Sequence, residues 1–317
     1  MESRTPALPS AIFDLPFSLI RGNSQRVSEA DSPKRVAWLP LTPPGVAAFA
    51  GASLGRLLLV QFFFALLAAS AVVWFLQTAW FPVVDAAIHR LPPQGEIRDG
   101  KMNWPAASPE PLAEEKFLAF SVDLEHAGQL RSPAQVQVEF GRDNVYLFSL
   151  LGYQRLNYPR DWIIAFNRTE LEPKWGAWRP PILWLTFGAV VAGLMTSWTL
   201  LATLYFLPAR LTGFFANRNL DFCASWKLAG AALLPGALLL TAAVFLYGSG
   251  AFDLVQLAAA FAAHLAIGWI YLFAAPLCAP KLEAGGLAKG NPFVPPPQPG
   301  EPAETKKNEA GRPPPIP

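Results

Sequence analysis

The residues Gly51-Ala52-Ser53-Leu54-Gly55 have the spacing G-x-S-x-G. In a hydrolase this spacing places a serine nucleophile on a tight turn between a strand and a helix, with an acid and a histidine supplied further along the chain. Here the preceding residues read as helix or loop and the following element is a long apolar run, so the spacing is a coincidence. His264 is the one ionisable side chain deep inside an apolar run. Such a group serves as a proton relay or ligand, or as a neutral imidazole bonded between helices. With no Asp, Glu, Lys or Arg in the apolar runs to work with it, the neutral role is the expectation. His89, Asp123, Glu125 and His126 have no metal-ligand spacing, and H-E-x-x-H, C-x-x-C and Gly-rich phosphate loops are absent from the sequence. Glu114, Glu115 and Asp123 could form an acid–base pair but are expected to be solvated. Cys223 and Cys278 read as small reduced fillers. No catalytic, cofactor or metal site is therefore expected, and His264 and Pro235 are the functional candidates.

The elements that carry these residues follow from charge. Of 317 residues, 52% are hydrophobic and only 15% charged, against about a quarter in a soluble domain. Lys, Arg, Asp and Glu are absent from 57–84, 180–209, 228–252 and 254–280. Each window is long enough to cross a hydrocarbon core, which takes about 20 apolar residues. Lipid offers no partner to a free backbone N–H or C=O, so the spans must be helices. A net charge of +2 without a basic stripe gives no reason to expect a nucleic-acid partner.

The boundaries read as a Pro-rich tail and membrane-proximal segment (1–52), a first span (53–84), a polar domain (85–179), three further spans (180–280) and a polar Pro/Gly-rich tail (281–317). Both tails are expected to be disordered. An apolar patch at 12–20 could rest on a membrane or partner, or be a solvated turn. The first apolar run starts too late and is too long for a cleaved signal sequence. Lys and Arg cluster in both tails and between the second and third spans, whereas 248–253 has none. This bias puts both tails in the cytoplasm and the domain 85–179 outside.

Within the domain, Pro92-Pro93 should stop a helix that continues the first span, and Asp99-Gly100 marks a hairpin turn. The segment 117–124 reads as a strand. Val136, Val138 and Phe140 alternate with Gln135, Gln137 and Glu139, as in a strand with one buried and one polar face. Residues 141–144 are turn chemistry, and 145–153 should return as the hairpin partner. The connection between 102 and 117 reads as Pro-rich and acidic, and 161–172 leans to helix. Asn167-Arg168-Thr169 is a glycosylation acceptor sequence where the machinery exists.

In the spans, Gln61 and Gln77 are expected near the ends of the first, where an amide costs little. Three rows of small residues should allow close helix approach: Gly188/Ala189/Ala192/Gly193, Ala232/Gly236 and Ala258/Ala262/Ala266. Pro235 should kink or loosen the third span.

Glu96-Ile97-Arg98-Asp99-Gly100-Lys101, the apolar strand from Phe120 to Asp123, and Trp226-Lys227 with Pro235 in the last spans carry a resemblance. The layout resembles an uncharacterised family of bacterial membrane proteins with an extracytoplasmic domain after the first span. The last spans look like Yip-type multispan proteins. The resemblance implies a fold and a place in the inner membrane, and no activity; the long Pro-rich tails depart from it.

The sequence thus leads to an α-helical integral membrane protein with four transmembrane helices and a small extracytoplasmic α+β domain between spans 1 and 2. Its partners would be the lipid bilayer and a protein bound through 85–179. The expected role is non-enzymatic: structural, sensing or assembly. The alternative is a small transporter or channel subunit built on spans 2–4.

Overall fold

The computed structural model describes residues 39–281. The expectations for the patch at 12–20 and for the C-terminal tail lie outside these residues. Helices α1 (Pro43–Ala47) and α2 (Leu54–Phe75) open the described chain. Ser53 caps α2, its Oγ accepting from the Arg56 N–H at 3.3 Å, so the serine of the G-x-S-x-G spacing is a helix cap with no strand before it. A π-turn, Leu76–Trp80, carries α2 into α3 (Phe81–Arg90). Pro82 has no N–H for the carbonyl of Thr78, and the wide turn absorbs that loss without ending the helix. The result is a single helical run, Leu54–Arg90.

The domain contains two sheets. One has the order β2-β1-β8: β1 (Glu96–Arg98), β2 (Lys101–Asn103) and β8 (Ile164–Ala165). Asp99 and Gly100 both have positive φ (53° and 74°), as a two-residue hairpin turn requires. The second has the order β3-β4-β5-β6-β7: β3 (Glu110–Glu114), β4 (Leu118–Val122), β5 (Val136–Phe140), β6 (Asn144–Ser149) and β7 (Gly152–Asn157). All its pairs are antiparallel except β4–β5. Val122, Leu118 and partly buried Phe120, Val138, Phe140 and Val145 pack with Val83 and Ala87 of α3 to form the domain core. The segment read as Pro-rich connection supplies β3, and 161–172 divides between β8 and the start of a helix.

That helix is α4 (Arg168–Phe215), which begins inside the domain. Asn167 caps it: Oδ1 accepts from the Glu170 N–H at 3.0 Å while Nδ2 donates to the Gly95 carbonyl at 3.2 Å. Both ends of the amide of the acceptor sequence are therefore occupied. Then come α5 (Phe222–Ala232), α6 (Leu234–Gly248) and α7 (Leu254–Leu277), capped by Asp221 and by an Asp253/Gln256 capping box. Four helical stretches, Leu54–Arg90, Arg168–Phe215, Phe222–Gly248 and Leu254–Leu277, are long and apolar enough to cross a membrane.

The packed helices correct three sequence readings. A Cβ on Gly188 or Gly193 would meet nothing within 4 Å, and Ala258, Ala262 and Ala266 are exposed, so those rows face outward. The Ala232/Gly236 row does lie in an interface: a Cβ on Gly236 would stand 2.3 Å from the His264 carbonyl of α7. Gln61 is not at a wetted end either. It is 1% exposed, with Nε2 donating to the Gly230 carbonyl at 3.3 Å and Oε1 unpartnered. Cys223 and Cys278 are free and exposed rather than fillers.

Candidate functional site

A parallel strand pair cannot be joined by a tight turn; the chain must cross over the sheet. Between β4 and β5 the crossover is the loop 123–135, and it lies on the face opposite the core. The pairings place Ala119 and Ser121, Gln137 and Glu139, Phe148 and Tyr146, then Tyr153 and Arg155, on that face. Gln137 holds the loop down. Its Oε1 accepts from the Ser132 N–H (3.1 Å), and its Nε2 donates to the Leu130 carbonyl (2.8 Å) and Ser121 Oγ (3.3 Å). Gln137 and Glu139, expected on a polar outer face, are consequently buried, Glu139 to 2% exposure.

Burying a carboxyl group is costly without a partner. The partner of Glu139 is His126, whose Nδ1 hydrogen-bonds Oε1. His126 sits in the left-handed region (φ 50°), an uncommon conformation for a side chain of this size. Its ring stacks on Tyr146 at 3.9 Å with the planes 9° apart. Tyr146, Phe148 and Tyr153 continue as a row of rings at 6.2 Å spacing toward β7. A cavity of about 300 Å³ opens beside the pair, lined by His126, Arg131, Ser132, Glu139 and Phe148 among others. Asp123, at the start of the loop, is 1% exposed and its Oδ2 has no protein partner. The carboxylates expected to be solvated are in part internal. Neither His126 nor Glu139 had a sequence signal, because the covering loop is irregular and strand pairing across it is not encoded locally.

Beyond the ring row lies β7, the sheet edge. All six of its residues are exposed, as are Leu150 and Leu151 at the hairpin tip, Leu151 to 101%. Trp162 and Ile163 are exposed as well. The pairing of β7 with β6 is regular at every position from Asn144↔Asn157 to Ser149↔Gly152. The opposite edge, β3, carries Pro111 and a register shift, and its Leu112 and Ala113 are buried in the core. A bulge and a proline are the usual devices that protect an edge from further pairing. β3 has them and β7 does not.

The domain is fastened to the helices at two places. Phe75 and Tyr247 meet Phe117 with centroids 5.2 and 5.0 Å away. Gln135, the last residue of the crossover loop, receives the Tyr247 hydroxyl. On the other side Asp85 of α3 accepts from Trp175 Nε1 (2.5 Å) and Arg179 Nη1 (3.2 Å) of α4.

The candidates named from sequence lie elsewhere. Pro235 stands at the first turn of α6, and the third long helix is broken at Leu233 just before it. Pro235 has no N–H for the Ala231 carbonyl, which takes the Leu233 N–H instead. His264 Nδ1 bonds the Phe261 carbonyl of its own helix. The imidazole lines a cavity of about 220 Å³ whose walls include Val72, Leu194, Trp198, Leu240 and Thr241. The His264 carbonyl makes the close approach to the kinked helix, at Gly236. Among the described residues no group of three or more His, Cys, Asp or Glu could hold a metal ion.

Compared with known proteins, the chain matches no protein family, no curated protein and no solved structure.

Proposed function

We propose that this chain is a membrane-anchored, non-enzymatic docking protein of the bacterial envelope. Its domain, outside the cytoplasmic membrane with both tails inside, binds an extended segment of another envelope protein by strand addition to β7. The observation that carries this reading is the contrast between the two edges of one sheet: β3 is bulged, interrupted by proline and packed, while β7 is regular, unpaired and exposed. An edge of that kind offers a full row of backbone donors and acceptors, and side-chain pockets alternate along it. Leu150, Leu151, Tyr153 and Leu156 supply apolar surface beside it. The layout resemblance to envelope proteins with a domain after the first span agrees with this location.

Photo-crosslinking from single positions in the intact protein in its own membrane tests the proposal. Probes at 151, 153 and 156 should capture one protein through an extended segment, and a probe at Glu114 on β3 should not. Leu151→Asp with Tyr153→Asp should weaken capture about tenfold, the loss of one modest hot spot. Equal capture from both edges, or none from β7, refutes it; capture of a second copy of this chain would replace it with self-association.

A second reading, ligand sensing, is favoured by one observation. The crossover loop that roofs the His126–Glu139 cavity ends on Gln135, which is bonded to Tyr247 at the end of α6. A ligand that moved the loop would bear directly on a long apolar helix. The transporter alternative has less behind it, since the imidazole of His264 is already bonded within α7 and its cavity is mostly apolar.

A further inference from the structure

Two cavities lie one above the other between the run α2–α3 and helix α4. The upper, about 320 Å³, is lined by Asp85, His89, Glu172, Gly176 and Arg179 among others. The lower, about 480 Å³, is lined by Ser70, Trp74, Gln77, Leu183, Trp184 and Phe187 among others. They follow one another along α4, where Arg179 borders the upper and Pro180 the lower, with the Phe81 ring packed on Trp175 and under the Arg179 guanidinium between them. From Glu172 to Phe187 the α4 lining of the two cavities, together the groove, runs about 22 Å at 1.5 Å per residue. That is about half the thickness of a bilayer with its headgroups, the length of a single leaflet.

Polarity along the groove changes as it does along a phospholipid, with ionisable groups above and aliphatic and aromatic walls below. The change occurs where exposed Trp178 and Trp184 mark an interface. At the upper end two acceptors are left open, the second carboxylate oxygen of Glu172 and the Gly176 carbonyl. Asp85 already receives Trp175 and Arg179. Glu172 receives Arg168 Nε at 3.1 Å and has His89 at 3.8 Å. Pro180 has no N–H to give to the carbonyl of Gly176, and a Cβ on Gly176 would meet nothing within 4 Å, so the helix is open there. Arg179 serves Asp85 and Arg168 serves Glu172, which leaves Glu172 Oε1 and that carbonyl without a close cationic donor.

We infer that this groove is a binding site for one phospholipid with a primary-amine headgroup, from the leaflet on the side of the domain. The ammonium donates to Glu172 and the Gly176 carbonyl, and the phosphate takes the guanidinium donors of Arg179 that Asp85 leaves free. One acyl chain lies along Leu183 and Phe187. An anionic lipid without an amine would bring a third negative charge beside Asp85 and Glu172 with no cationic donor of its own to offset it. The site is independent of the β7 edge.

Full-length protein, stripped of lipid in detergent, would be titrated with phosphatidylethanolamine or phosphatidylglycerol and the bound lipids counted by native mass spectrometry. The expected result is one phosphatidylethanolamine retained about tenfold more strongly than phosphatidylglycerol, the worth of one charged hydrogen bond. Glu172→Gln, at an exposed position, should abolish the preference. Leu183→Trp, which fills the lower groove, should remove retention of either lipid. Equal retention of both lipids by the wild type, or a preference that survives both substitutions, overturns the inference.

Discussion

Gly236→Ala should separate two helices that the wild-type chain packs backbone to backbone. The added Cβ would stand 2.3 Å from the His264 carbonyl oxygen and 3.2 Å from its carbon. Ordinary carbon–oxygen contact lies at about 3.3–3.6 Å, so α6 and α7 must part by roughly 1 Å. The obstacle is main chain in the middle of α7, which cannot rotate away as a side chain would. Overpacking of this kind typically costs about 1–3 kcal/mol. Gly188→Ala is the matched control. It adds the same methyl to α4, where nothing lies within 4 Å, and it removes the helix penalty of glycine, up to about 1 kcal/mol. Thermal denaturation of the two variants in one detergent, followed by size-exclusion recovery, should move in opposite directions from wild type. If Gly236→Ala is as stable as wild type, or Gly188→Ala is equally damaged, the packing argument for both rows of small residues fails.

Asn167→Ala removes the cap at the head of α4 and should destabilise the domain by about 1 kcal/mol, while Asn167→Asp should retain most of the stability because the side-chain acceptor remains; denaturation of both variants checks this. Gln61→Leu should be neutral or stabilising, since it replaces a buried amide whose oxygen has no partner; a large loss of thermal stability would show that the Gly230 contact matters more than the orphaned oxygen. Burial, with Asp143 nearby, raises the ionisation of Tyr158 above its usual 10.0, and its hydroxyl donates to the Gly141 carbonyl at 3.0 Å. Its contribution to stability is fully present below pH 10 and declines as pH rises from there toward the folded-state value. Tyr158→Phe should flatten that decline in a pH series of unfolding measurements.

What could be read from the sequence was whatever is encoded by composition or within a few residues. The four apolar runs are legible because crossing lipid is a matter of length and charge. The Asp99-Gly100 turn is legible because few residues accept two successive positive φ angles. The face of β5 that is buried deeper was not legible. The alternation of Val136, Val138 and Phe140 with Gln137 and Glu139 gives the period, but which side is covered depends on where the chain travels between β4 and β5. An irregular loop covers the polar side, and two residues with solvent-like chemistry became its clamp and its buried acid. The rows of small residues failed for a related reason. Spacing shows that a neighbour could approach, and only the packed structure shows that one does so at Gly236 and not at Gly188. Strand β3 was hidden by its own Pro111, the feature that makes it a closed edge.

The mounting of the domain bears on both functional readings. Its two connections to the apolar helices are themselves helical: α3 continues α2 through the π-turn, and α4 begins at Arg168 inside the domain. A helix resists bending far more than a loop does, and Asp85 ties the two together through Trp175 and Arg179. A third tie joins Gln135 to Tyr247. Two helical connections and a side-chain tie restrict the domain's movement on the helices more than loop linkers would. For the proposed partner strand, an edge whose rotational freedom is already restricted would lower the entropic cost of docking. The same rigidity makes the third tie informative. Gln135 joins the end of the crossover loop to Tyr247 of α6, so a movement of the loop can reach that helix there. Gln135→Ala should therefore leave capture at β7 intact, and it should disconnect the His126–Glu139 cavity from α6.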